Sequence, residues 1–361
     1  MMKHFVVYRE PGRFAGWPAN FGMWSWGNEI VFGFTAGYLS AKREAGFHAV
    51  ARNRPFVPMQ ARTTDGGFTW EVAPTPCELP GGRGFSADEH VAGALQVGPI
   101  LEKPGVLSDP PGGLNFAHPD FALMGARSGL EAGARSWFYV STDRCRSWQG
   151  PYTLPAFGYL GVAARTDYVV SDASTCTLFL TGTKRDGVEG TVFCARTSDG
   201  GRTFQFHAAV GPEPAEGFAI MPATVRLADG TWLTAIRTGG RPSPAIEIFA
   251  STDDARTWQH RATAVDYTGR GGNPPALVLL PDGRLCVVYG YRDAPYGIRA
   301  VVSDDGGHTW CPPLVLRSDA GNHDIGYPRA TVLPDGRVLA VYYYNDRPDG
   351  ERYIAGTIFA V

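Results

Sequence analysis

The sequence predicts an all-β protein folded as a six-bladed β-propeller, a ring of six small sheets around a central channel. Three observations predict this fold. A strand–turn–strand unit recurs in the C-terminal half, an eight-residue turn motif occurs five times, and a short motif precedes six predicted strands. Repeats of this kind are typical of folds in which each unit buries its apolar faces against its neighbours.

The strand–turn–strand unit is clearest at residues 326–346, which read GYPRATVLPDGRVLAVYYYND. Two β-rich runs with alternating side chains flank a Pro-Asp-Gly turn, which is the pattern of a β-hairpin. Residues 272–292 (GNPPALVLLPDGRLCVVYGYR) and 218–237 (FAIMPATVRLADGTWLTAIR) repeat the pattern. Three near-copies indicate one such hairpin per repeat.

The turn motif has the form Ser/Thr-x-Asp-x-Gly-x-Thr-Trp. In a hairpin turn, Asp accepts backbone N–H groups, Gly adopts a positive φ, and Trp packs between sheets. These aspartates are therefore predicted to be structural. The copies are residues 63–70 (TTDGGFTW), 197–204 (TSDGGRTF) and 303–310 (SDDGGHTW), with degenerate copies at 141–148 (STDRCRSW) and 251–258 (STDDARTW).

The third motif marks the predicted start of each inner strand, and five of its six copies carry proline at the second position. Proline is tolerated at the first residue of a strand, where no ladder hydrogen bond is lost. Six starts imply six sheets. The motifs begin at Trp17, His118, Arg165, Met221, Asn273 and Tyr327.

The last repeat lacks the turn motif and ends one strand short, at residues 352–361 (RYIAGTIFAV). Residues 4–9 (HFVVYR) form a predicted strand without a sheet of its own, so we expect the N-terminal strand to join the last blade and close the ring. The prediction is one domain over residues 1–361, with a long loop insertion around residues 75–116.

Bulk properties exclude several classes of function. The net charge of −2 gives no electrostatic case for nucleic acid or an anionic membrane as partner. No apolar run is long enough to span a membrane, and the N-terminus lacks the pattern of a signal peptide. The six cysteines have no metal-site spacing, so we expect reduced thiols, no metal and no cofactor. These features predict a cytoplasmic protein, with secretion as the alternative; oligomeric state stays open.

In a propeller the inner strands line the channel, so the residues at their starts should converge on one face. Polar groups gathered in such a concavity need partners or a ligand. The alternative is a buried network in which they satisfy one another. The residues expected at this channel mouth are Trp17, His118, Asp120, Arg165, Asp167, Asn273, Tyr327 and Arg329.

The turn motifs resemble the Asp-box repeats of the sialidase superfamily, and the resemblance covers essentially the full chain as architecture. It implies a carbohydrate substrate and assigns site residues by motif. Tyr327, before VLPDG, matches the catalytic tyrosine of the family. Arg237, after LADGTWLTAI, and Arg292 match two arginines that bind the substrate carboxylate, with Arg299 as a competitor for the second.

The sequence also departs from that family. Trp17 replaces an arginine of the first strand start, and Met221 stands where the glutamate that polarises the tyrosine would fall, with Glu216 five residues earlier. The family's acid/base aspartate is missing between residues 42 and 54, where Glu44 and His48 are the candidate proton carriers.

Three functions are compatible with these residues. The first is a sialidase-like, exo-acting glycoside hydrolase on a carbohydrate that bears a carboxylate, with Tyr327 as nucleophile and Asp120, Asp167 and His48 as catalytic partners. The second is a polysaccharide lyase on a uronate, with Tyr327 and either His48 or His118 as base and acid and an arginine that neutralises the uronate. The third is a carbohydrate-binding propeller without catalysis.

Overall fold

The computed structural model describes residues 2–40, 48–54, 56–80, 106–240 and 243–361. These residues form strands in six antiparallel sheets, with one short 3-10 turn at Pro18–Asn20 and no α-helix. None of the described segments is a helix that could cross a membrane. The predicted all-β, six-bladed propeller is confirmed.

The strands are short, and each is separated from the next by a tight turn or a loop. The first fourteen are β1 (Lys3–Tyr8), β2 (Arg13–Gly16), β3 (Met23–Trp26), β4 (Glu29–Tyr38), β5 (Val57–Thr63), β6 (Glu71–Pro74), β7 (Ala122–Arg127), β8 (Ser136–Ser141), β9 (Gln149–Thr153), β10 (Val162–Ala163), β11 (Tyr168–Val170), β12 (Cys176–Thr183), β13 (Glu189–Thr197) and β14 (Gln205–Ala209). The others are β15 (Phe218–Arg226), β16 (Trp232–Gly239), β17 (Ala245–Ser251), β18 (Gln259–Val265), β19 (Ala276–Leu279), β20 (Leu285–Tyr291), β21 (Gly297–Ser303), β22 (Leu314–Arg317), β23 (Gly326–Val332), β24 (Val338–Tyr344) and β25 (Tyr353–Phe359).

Each sheet forms one blade. In blade 1, β2 and β3 both pair with β4, which is followed by β5 and β6; in blade 3, β10 and β11 pair in the same way with β12, followed by β13 and β14. Blade 2 contains β7 to β9, blade 4 contains β15 to β18, and blade 5 contains β19 to β22. Blade 6 has the order β23, β24, β25 and β1.

The N-terminal strand closes the ring, as the sequence predicts. Strand β1 pairs antiparallel with β25, and His4 lies opposite Thr357. The Phe5 ring also stacks on Trp70 of blade 1, at a centroid distance of 6.4 Å. Closure covers the edge of β25 that would otherwise be open to pairing with another chain.

Blade 2 differs from the prediction because its described part has three strands. In the other blades that carry the turn motif, the motif joins the third and fourth strands; in blade 2 it joins β8 and β9, so β7 occupies the second position. The start of blade 3 covers the inner edge of β7, where Gly125 N donates to Thr166 Oγ1 at 3.0 Å and Leu123 N donates to Tyr168 Oη at 3.3 Å. The motif at His118 therefore precedes a second strand and not an inner one.

The predicted insertion around residues 75–116 is described only in part, since residues 81–105 lie outside the described residues. Its last part runs along blades 2 and 3. Ser108 bridges to Tyr152 of β9, and Leu114 N donates to Gly200 O in the turn of blade 3. These contacts tie the end of the insertion to the ring.

The core consists of six apolar layers, one between each pair of adjacent blades. Blades 6 and 1, for example, bury Phe14 and Phe32 against Leu339 and Ile354. Burying one such side chain stabilises the fold by about 1.5–3 kcal/mol. The remaining layers lie between blades 1 and 2, 2 and 3, 3 and 4, 4 and 5, and 5 and 6.

The turn motifs have the geometry that their residue types predict. In the copy at residues 197–204, Asp199 Oδ1 accepts the Thr203 N–H at 3.0 Å and its Oδ2 accepts the Thr203 hydroxyl at 2.7 Å. Thr197 donates to Asp199 and accepts the Gly201 N–H. The Thr203 hydrogen bonds lower the pKa of Asp199 to about 2. The carboxylates of these aspartates thus accept hydrogen bonds within their own turns and stabilise them.

The ring has two distinct faces. The turn motifs lie on one, which we call the Asp-box face. The inner strands begin on the other, where Gly16, Ile220 and Gly326 occupy matching register positions opposite Thr35, Arg237 and Tyr343. We call this second surface the channel mouth.

Candidate active site

Tyr327 begins the inner strand of blade 6 in a backbone conformation that few non-glycine residues adopt, with a φ of 49°. The Asn273 side chain holds it there. Its Oδ1 accepts the N–H groups of Tyr327 at 3.0 Å and Gly290 at 3.1 Å, and its Nδ2 donates to Ile325 O at 3.1 Å. A Cβ on Gly326 would lie 2.4 Å from Asn273 Nδ2, so glycine is required there. The Asn273 side chain is thus occupied in fixing the backbone of Tyr327.

Blades 1 and 4 contain the same bend at the matching positions. Trp17 has a φ of 60° and Met221 a φ of 55°. Each interrupts the pairing of its inner strand with the next strand, as a β-bulge does, and a bulge redirects the side chain. Met221 and Tyr327 consequently pack in one small apolar cluster at the channel.

Arg237, in β16 of blade 4, contacts the Tyr327 hydroxyl directly. Its Nη1 donates to Tyr327 Oη at 3.2 Å and lies 3.6 Å from Met221 Sδ, while its Nη2 donates to Gly271 O at 2.5 Å. Arg237 is 8% exposed. Burial lowers its pKa, and among the described residues no carboxylate stabilises its charge. A buried cation of this kind favours an anionic ligand.

Arg292 lies behind the ring of Tyr327, with Cζ 5.3 Å from the ring centroid. It is 1% exposed, and its Nε and Nη2 donate to Ile325 O at 3.1 and 2.9 Å. Its Nη1 donates to Gly272 O and its Nη2 to Tyr343 Oη, both at 2.9 Å. Arg292 therefore braces the segment before Tyr327 and supplies a positive charge next to it.

Arg165, at the start of blade 3, is part of a buried ion pair. Both of its terminal nitrogens contact the carboxylate of Glu189, and its Nε donates to Asn20 Oδ1 at 3.1 Å. Glu189 compensates its charge locally. Arg165 nevertheless lies close enough to influence the ionisation of Tyr327.

The electrostatic environment favours the phenolate form of Tyr327. Burial opposes ionisation, but the positive charges of Arg237, Arg292 and Arg165 outweigh it, so the pKa of Tyr327 is lowered from 10.0. Among the described residues no carboxylate hydrogen-bonds to the Tyr327 hydroxyl. Ionisation of the phenol is thus favoured by nearby cations, and the family's glutamate position is occupied by Met221.

His48 lies beside Tyr327, with ring centroids 6.0 Å apart in a T-shaped arrangement. Its Nδ1 contacts Asp324 Oδ1 at 2.7 Å. Burial lowers the pKa of His48 below 6.5; Asp324 opposes this effect, and the charges of Arg292 and Arg237 add to it. His48 is therefore suited to accept a proton near neutral pH.

Trp17 packs edge-on against His48 and is fully buried. Their ring centroids are 5.2 Å apart, and Trp17 also contacts Phe14 at 4.6 Å. Trp17 occupies the position where an arginine was expected from the family resemblance. Its effect here is to hold the His48 ring against the channel.

Asp167 and Arg329 lie at the floor of the channel. Asp167 accepts hydrogen bonds from Thr224 N at 3.2 Å and Thr224 Oγ1 at 2.8 Å, and from neither Tyr327 nor Arg237. Burial raises the pKa of Asp167 to about 7, against the opposing charge of Arg329. Arg329 donates to Phe21 O at 2.7 Å and to two further backbone carbonyls across the channel. These two side chains link blades 1, 3, 4 and 6 beneath Tyr327.

His118 and Asp120 do not lie where the sequence suggested. Asp120 Oδ1 accepts from Arg144 Nε at 2.5 Å, and Arg144 belongs to the turn motif of blade 2. His118 Nδ1 accepts the Asp120 N–H at 3.1 Å. Both residues therefore lie on the Asp-box face, at the opposite end of the strands from Tyr327, because their motif precedes the second strand of blade 2.

Arg299 and Glu216 do not contribute to the hydrogen bonds of Tyr327. Arg299 packs on the Tyr291 ring at 3.4 Å, and Glu216 is exposed. Glu44 lies outside the described residues. The described residues contain no group of three or more histidine, cysteine or acidic side chains that could hold a metal ion.

Three residues that contact this site, Asp324, Tyr343 and Glu189, were not predicted from the sequence, and neither was Arg127. The register of the repeats marks Arg127 as the blade 2 counterpart of Arg237. It lies five residues after Ala122, as Arg237 does after Trp232, and both Ala122 and Trp232 pair with the first serine of a turn motif. Arg127 is fully buried, and its Nη1 donates to Ala164 O at 3.5 Å. No comparable pattern marks Asp324 or Glu189.

A family model for the BNR repeat-like domain matches residues 168–353, which is more than half of the 361 residues. The chain belongs to the BNR repeat-like domain family. Its predicted resemblance to sialidase-like propellers is confirmed at the level of repeat family and fold. Comparison with curated proteins gives no significant match.

Solved structures share the fold of this BNR propeller. A protein of unknown function from Dyadobacter fermentans DSM 18053 is 24% identical, with 99% of this chain and 98% of that chain covered and a TM-score of 0.71. The Hadza microbial sialidase Hz136 is 16% identical, with 97% of this chain and 65% of that chain covered and a TM-score of 0.62. The NanB sialidase from Streptococcus pneumoniae is 12% identical, with 98% of this chain and 70% of that chain covered and a TM-score of 0.61. This chain therefore spans less than two thirds of the Hadza sialidase.

Proposed function

We propose that this BNR propeller is a glycoside hydrolase that acts on a sugar bearing a carboxylate, with Tyr327 as nucleophile. One observation carries the proposal: the Tyr327 hydroxyl accepts a hydrogen bond from the buried Arg237, and neighbouring arginine charges lower its pKa. Tyrosine is a weak nucleophile at its ordinary pKa, and an activated one at a concave surface indicates chemistry. The fold shared with sialidases supports the same class of reaction.

The arrangement supports hydrolysis in two steps. His48 takes the proton of Tyr327 as the phenol oxygen attacks the anomeric carbon, and donates this proton to the leaving-group oxygen as the bond from that oxygen to the carbon breaks. In the second step, His48 takes a proton from water as the water oxygen attacks the anomeric carbon. The bond from that carbon to the Tyr327 oxygen breaks, and His48 returns the proton to Tyr327. Two displacements at one carbon retain its configuration.

Arg237 is the proposed ligand of the substrate carboxylate. Its guanidinium is buried at the channel mouth, and a carboxylate bound there would supply the anionic partner that the described residues do not. Arg292 is engaged with backbone carbonyls and Tyr343, so its contribution is a positive potential behind Tyr327. A neutral sugar would leave the Arg237 charge without a partner.

A second candidate is β-elimination on a uronate, and the His48–Asp324 pair favours it. Elimination needs a base for the carbon next to the carboxylate, an acid for the leaving oxygen and a cation for the carboxylate. His48, Tyr327 and Arg237 would supply these in that order. The reaction requires no carboxylate bonded to the Tyr327 hydroxyl, and among the described residues none forms such a hydrogen bond.

The first test uses sialosides and uronides together with matched neutral glycosides. Hydrolysis releases a saturated sugar with a new reducing end, whereas elimination gives an unsaturated uronate that absorbs in the ultraviolet. Tyr327→Phe is expected to reduce kcat by roughly 100-fold or more, since it removes the reacting oxygen and keeps the ring. Tyr342→Phe, in the same blade but facing blade 5, is the matched control and should remain active.

A second variant tests the carboxylate site. Arg237→Ala should raise KM for an acidic glycoside and change it little for the neutral counterpart, while Arg299→Ala should affect neither. Equal losses on both substrates would contradict the assignment of Arg237. Ligand binding by the wild type without turnover of any substrate would instead indicate a binding propeller and overturn the enzymatic proposal.

A further inference from the structure

Asp324 lies three residues before Tyr327 and is 1% exposed, and the hydrolytic scheme above assigns no step to it. Four donors surround its carboxylate. Oδ1 accepts from His48 Nδ1 at 2.7 Å and from Tyr343 Oη at 2.9 Å, and Oδ2 accepts from Ala49 N at 2.9 Å and Arg352 Nε at 2.8 Å. A carboxylate with its acceptor positions filled in this way serves to orient its donors.

The protonation of this group follows from its partners. Burial alone would favour the neutral acid, but the charges and hydrogen bonds of His48, Arg352 and Ala49 hold the pKa of Asp324 far below its usual range. Asp324 is therefore an acceptor only. The proton in its hydrogen bond to His48 has to reside on the histidine Nδ1.

Tyr343 fixes the direction of the remaining hydrogen bonds. Arg292 Nη2 can only donate, so the Tyr343 oxygen accepts from it at 2.9 Å. The Tyr343 hydroxyl hydrogen is then directed to Asp324 and not to His48, whose Nδ1 is 3.3 Å away. The result is a hydrogen-bond network that ends at Asp324. Arg292 donates to Tyr343, and both Tyr343 and His48 donate to Asp324.

We propose that Asp324 is the positioning residue that sets the tautomer of His48, holding the proton on Nδ1 so that Nε2 carries the basic lone pair of a ring that packs against Tyr327. Asp324 also accepts the N–H of Ala49, so it orients the backbone of the loop that carries His48 as well as its ring. The kinetic consequence rests on the proposed function, because it requires His48 to act as the base. The assignment of the tautomer does not depend on the proposed function.

The pH dependence follows from the groups that face His48. Asp324 favours the imidazolium, whereas burial and two arginines disfavour it. Removing the Asp324 charge should lower the pKa of His48 further and move the acidic limb of the kcat/KM profile to lower pH. Among the described residues, the charged and titratable groups that act on or contact His48 include Asp324, Tyr343, Tyr327, Arg292 and Arg237.

The test is nitrogen-15 NMR of the full chain with labelled histidine, in which His48→Gln assigns the His48 signals. The expected result for the wild type is a neutral His48 with its proton on Nδ1. In Asp324→Asn the amide becomes a donor, and the proton should move to Nε2. A wild-type His48 with its proton on Nε2 would overturn the inference, whether or not the protein is active, and this result needs no variant of Asp324 to fold.

Kinetics on an active substrate separate this role from a structural one. Asp324→Asn should lower kcat by roughly 10- to 100-fold with KM within about 3-fold, since tautomer and orientation matter to the proton transfer. Tyr343→Phe keeps the His48–Asp324 pair and should retain the Nδ1 tautomer. An unchanged kcat and pH profile in a folded Asp324→Asn would contradict the inference. The Nδ1 tautomer in a protein without turnover would leave it standing and refute only the proposed function.

Discussion

At the scale of single residues, burial and neighbouring charge separate the two candidate proton carriers of the channel. The pKa of Tyr327 is lowered because three arginine charges outweigh its burial. The pKa of Asp167 is raised to about 7 because burial outweighs the single charge of Arg329. Asp167 also hydrogen-bonds to Thr224 and not to the site above it. The same channel therefore holds an activated phenol at its mouth and a carboxyl at its floor that resists ionisation.

The raised pKa of Asp167 predicts how stability depends on pH. Between pH 3.8 and about 7 the unfolded chain has released the Asp167 proton while the folded chain still binds it, so the contribution of this residue to stability falls as pH rises. In Asp167→Asn the side chain does not titrate, so stability no longer falls with pH for this reason, and the amide oxygen still accepts a hydrogen bond from Thr224. The variant should therefore gain stability relative to the wild type across this window, by about 1–3 kcal/mol at its upper end. Urea unfolding at a series of pH values measures the difference.

Asp172→Asn is the matched control for that experiment, with the opposite sign. Hydrogen bonds from Ser174 and Thr175 lower the pKa of Asp172, so this residue adds stability that is lost as pH falls below 3.8. Asp172→Asn should therefore be less stable than the wild type at neutral pH. A stability difference for Asp167→Asn that does not grow between pH 3.8 and 7 would show that its carboxyl ionises normally in the folded protein.

At the scale of secondary-structure elements, the inner strands of blades 4 and 6 combine a regular scaffold with a local irregularity. The hairpin pairing continues through β15 and β23, while a bulge at Met221 and at Tyr327 turns one side chain toward the axis. Residues in a left-handed conformation carry strain that the surroundings have to offset. Asn273 does so for Tyr327 with three side-chain hydrogen bonds.

The turn motifs are predicted to affect stability and not chemistry. Asp305 accepts hydrogen bonds from His308 N, Thr309 N and the Thr309 hydroxyl, all within its own turn on the Asp-box face. Asp305→Ala should lower Tm by roughly 2–4 °C because these turn hydrogen bonds are lost. Differential scanning calorimetry measures this change.

The adjacent residue provides the comparison. Asp304→Ala removes the same charge from the same turn and should leave Tm within about 1 °C of the wild type, because a surface substitution away from special contacts has little effect. Similar losses in the two variants would assign the effect to charge and not to the turn hydrogen bonds.

At the scale of the whole molecule, the ring depends on pairing between its two ends. Strand β1 contributes the outer strand of blade 6, and Phe5 links that strand to Trp70 of blade 1. A chain that begins at Arg9 would expose the edge of β25. It should unfold at a lower temperature and associate through that edge, which light scattering and calorimetry would detect.

Phe5→Ala keeps the backbone pairing of β1 and removes only the link to blade 1. It should lower Tm relative to the wild type and leave the association state of the protein unchanged. If the shortened chain keeps the Tm and the association state of the full chain, the N-terminal strand is not what stabilises the ring.

The sequence alone determined the scaffold. The turn motifs, the Pro-Asp-Gly hairpins and the leftover strand at each end predicted six blades and their closure, because turn chemistry and β alternation act over a few neighbouring residues. The same motifs placed Tyr327 at the start of an inner strand, and the resemblance to sialidases added Arg237 at the end of a hairpin. They failed for His118 and Asp120, since the second repeat places its motif before the second strand of the blade and so on the Asp-box face.

Only the tertiary structure decided which groups surround Tyr327. His48 comes from a loop of blade 1, Asp324 from the segment before β23, and Glu189 pairs with Arg165 within blade 3. These residues meet because six strand ends converge on one axis, and no spacing along the chain encodes that convergence. The pKa values of Tyr327 and His48 follow in turn from burial and from arginine charges on other blades, which are properties of the closed ring.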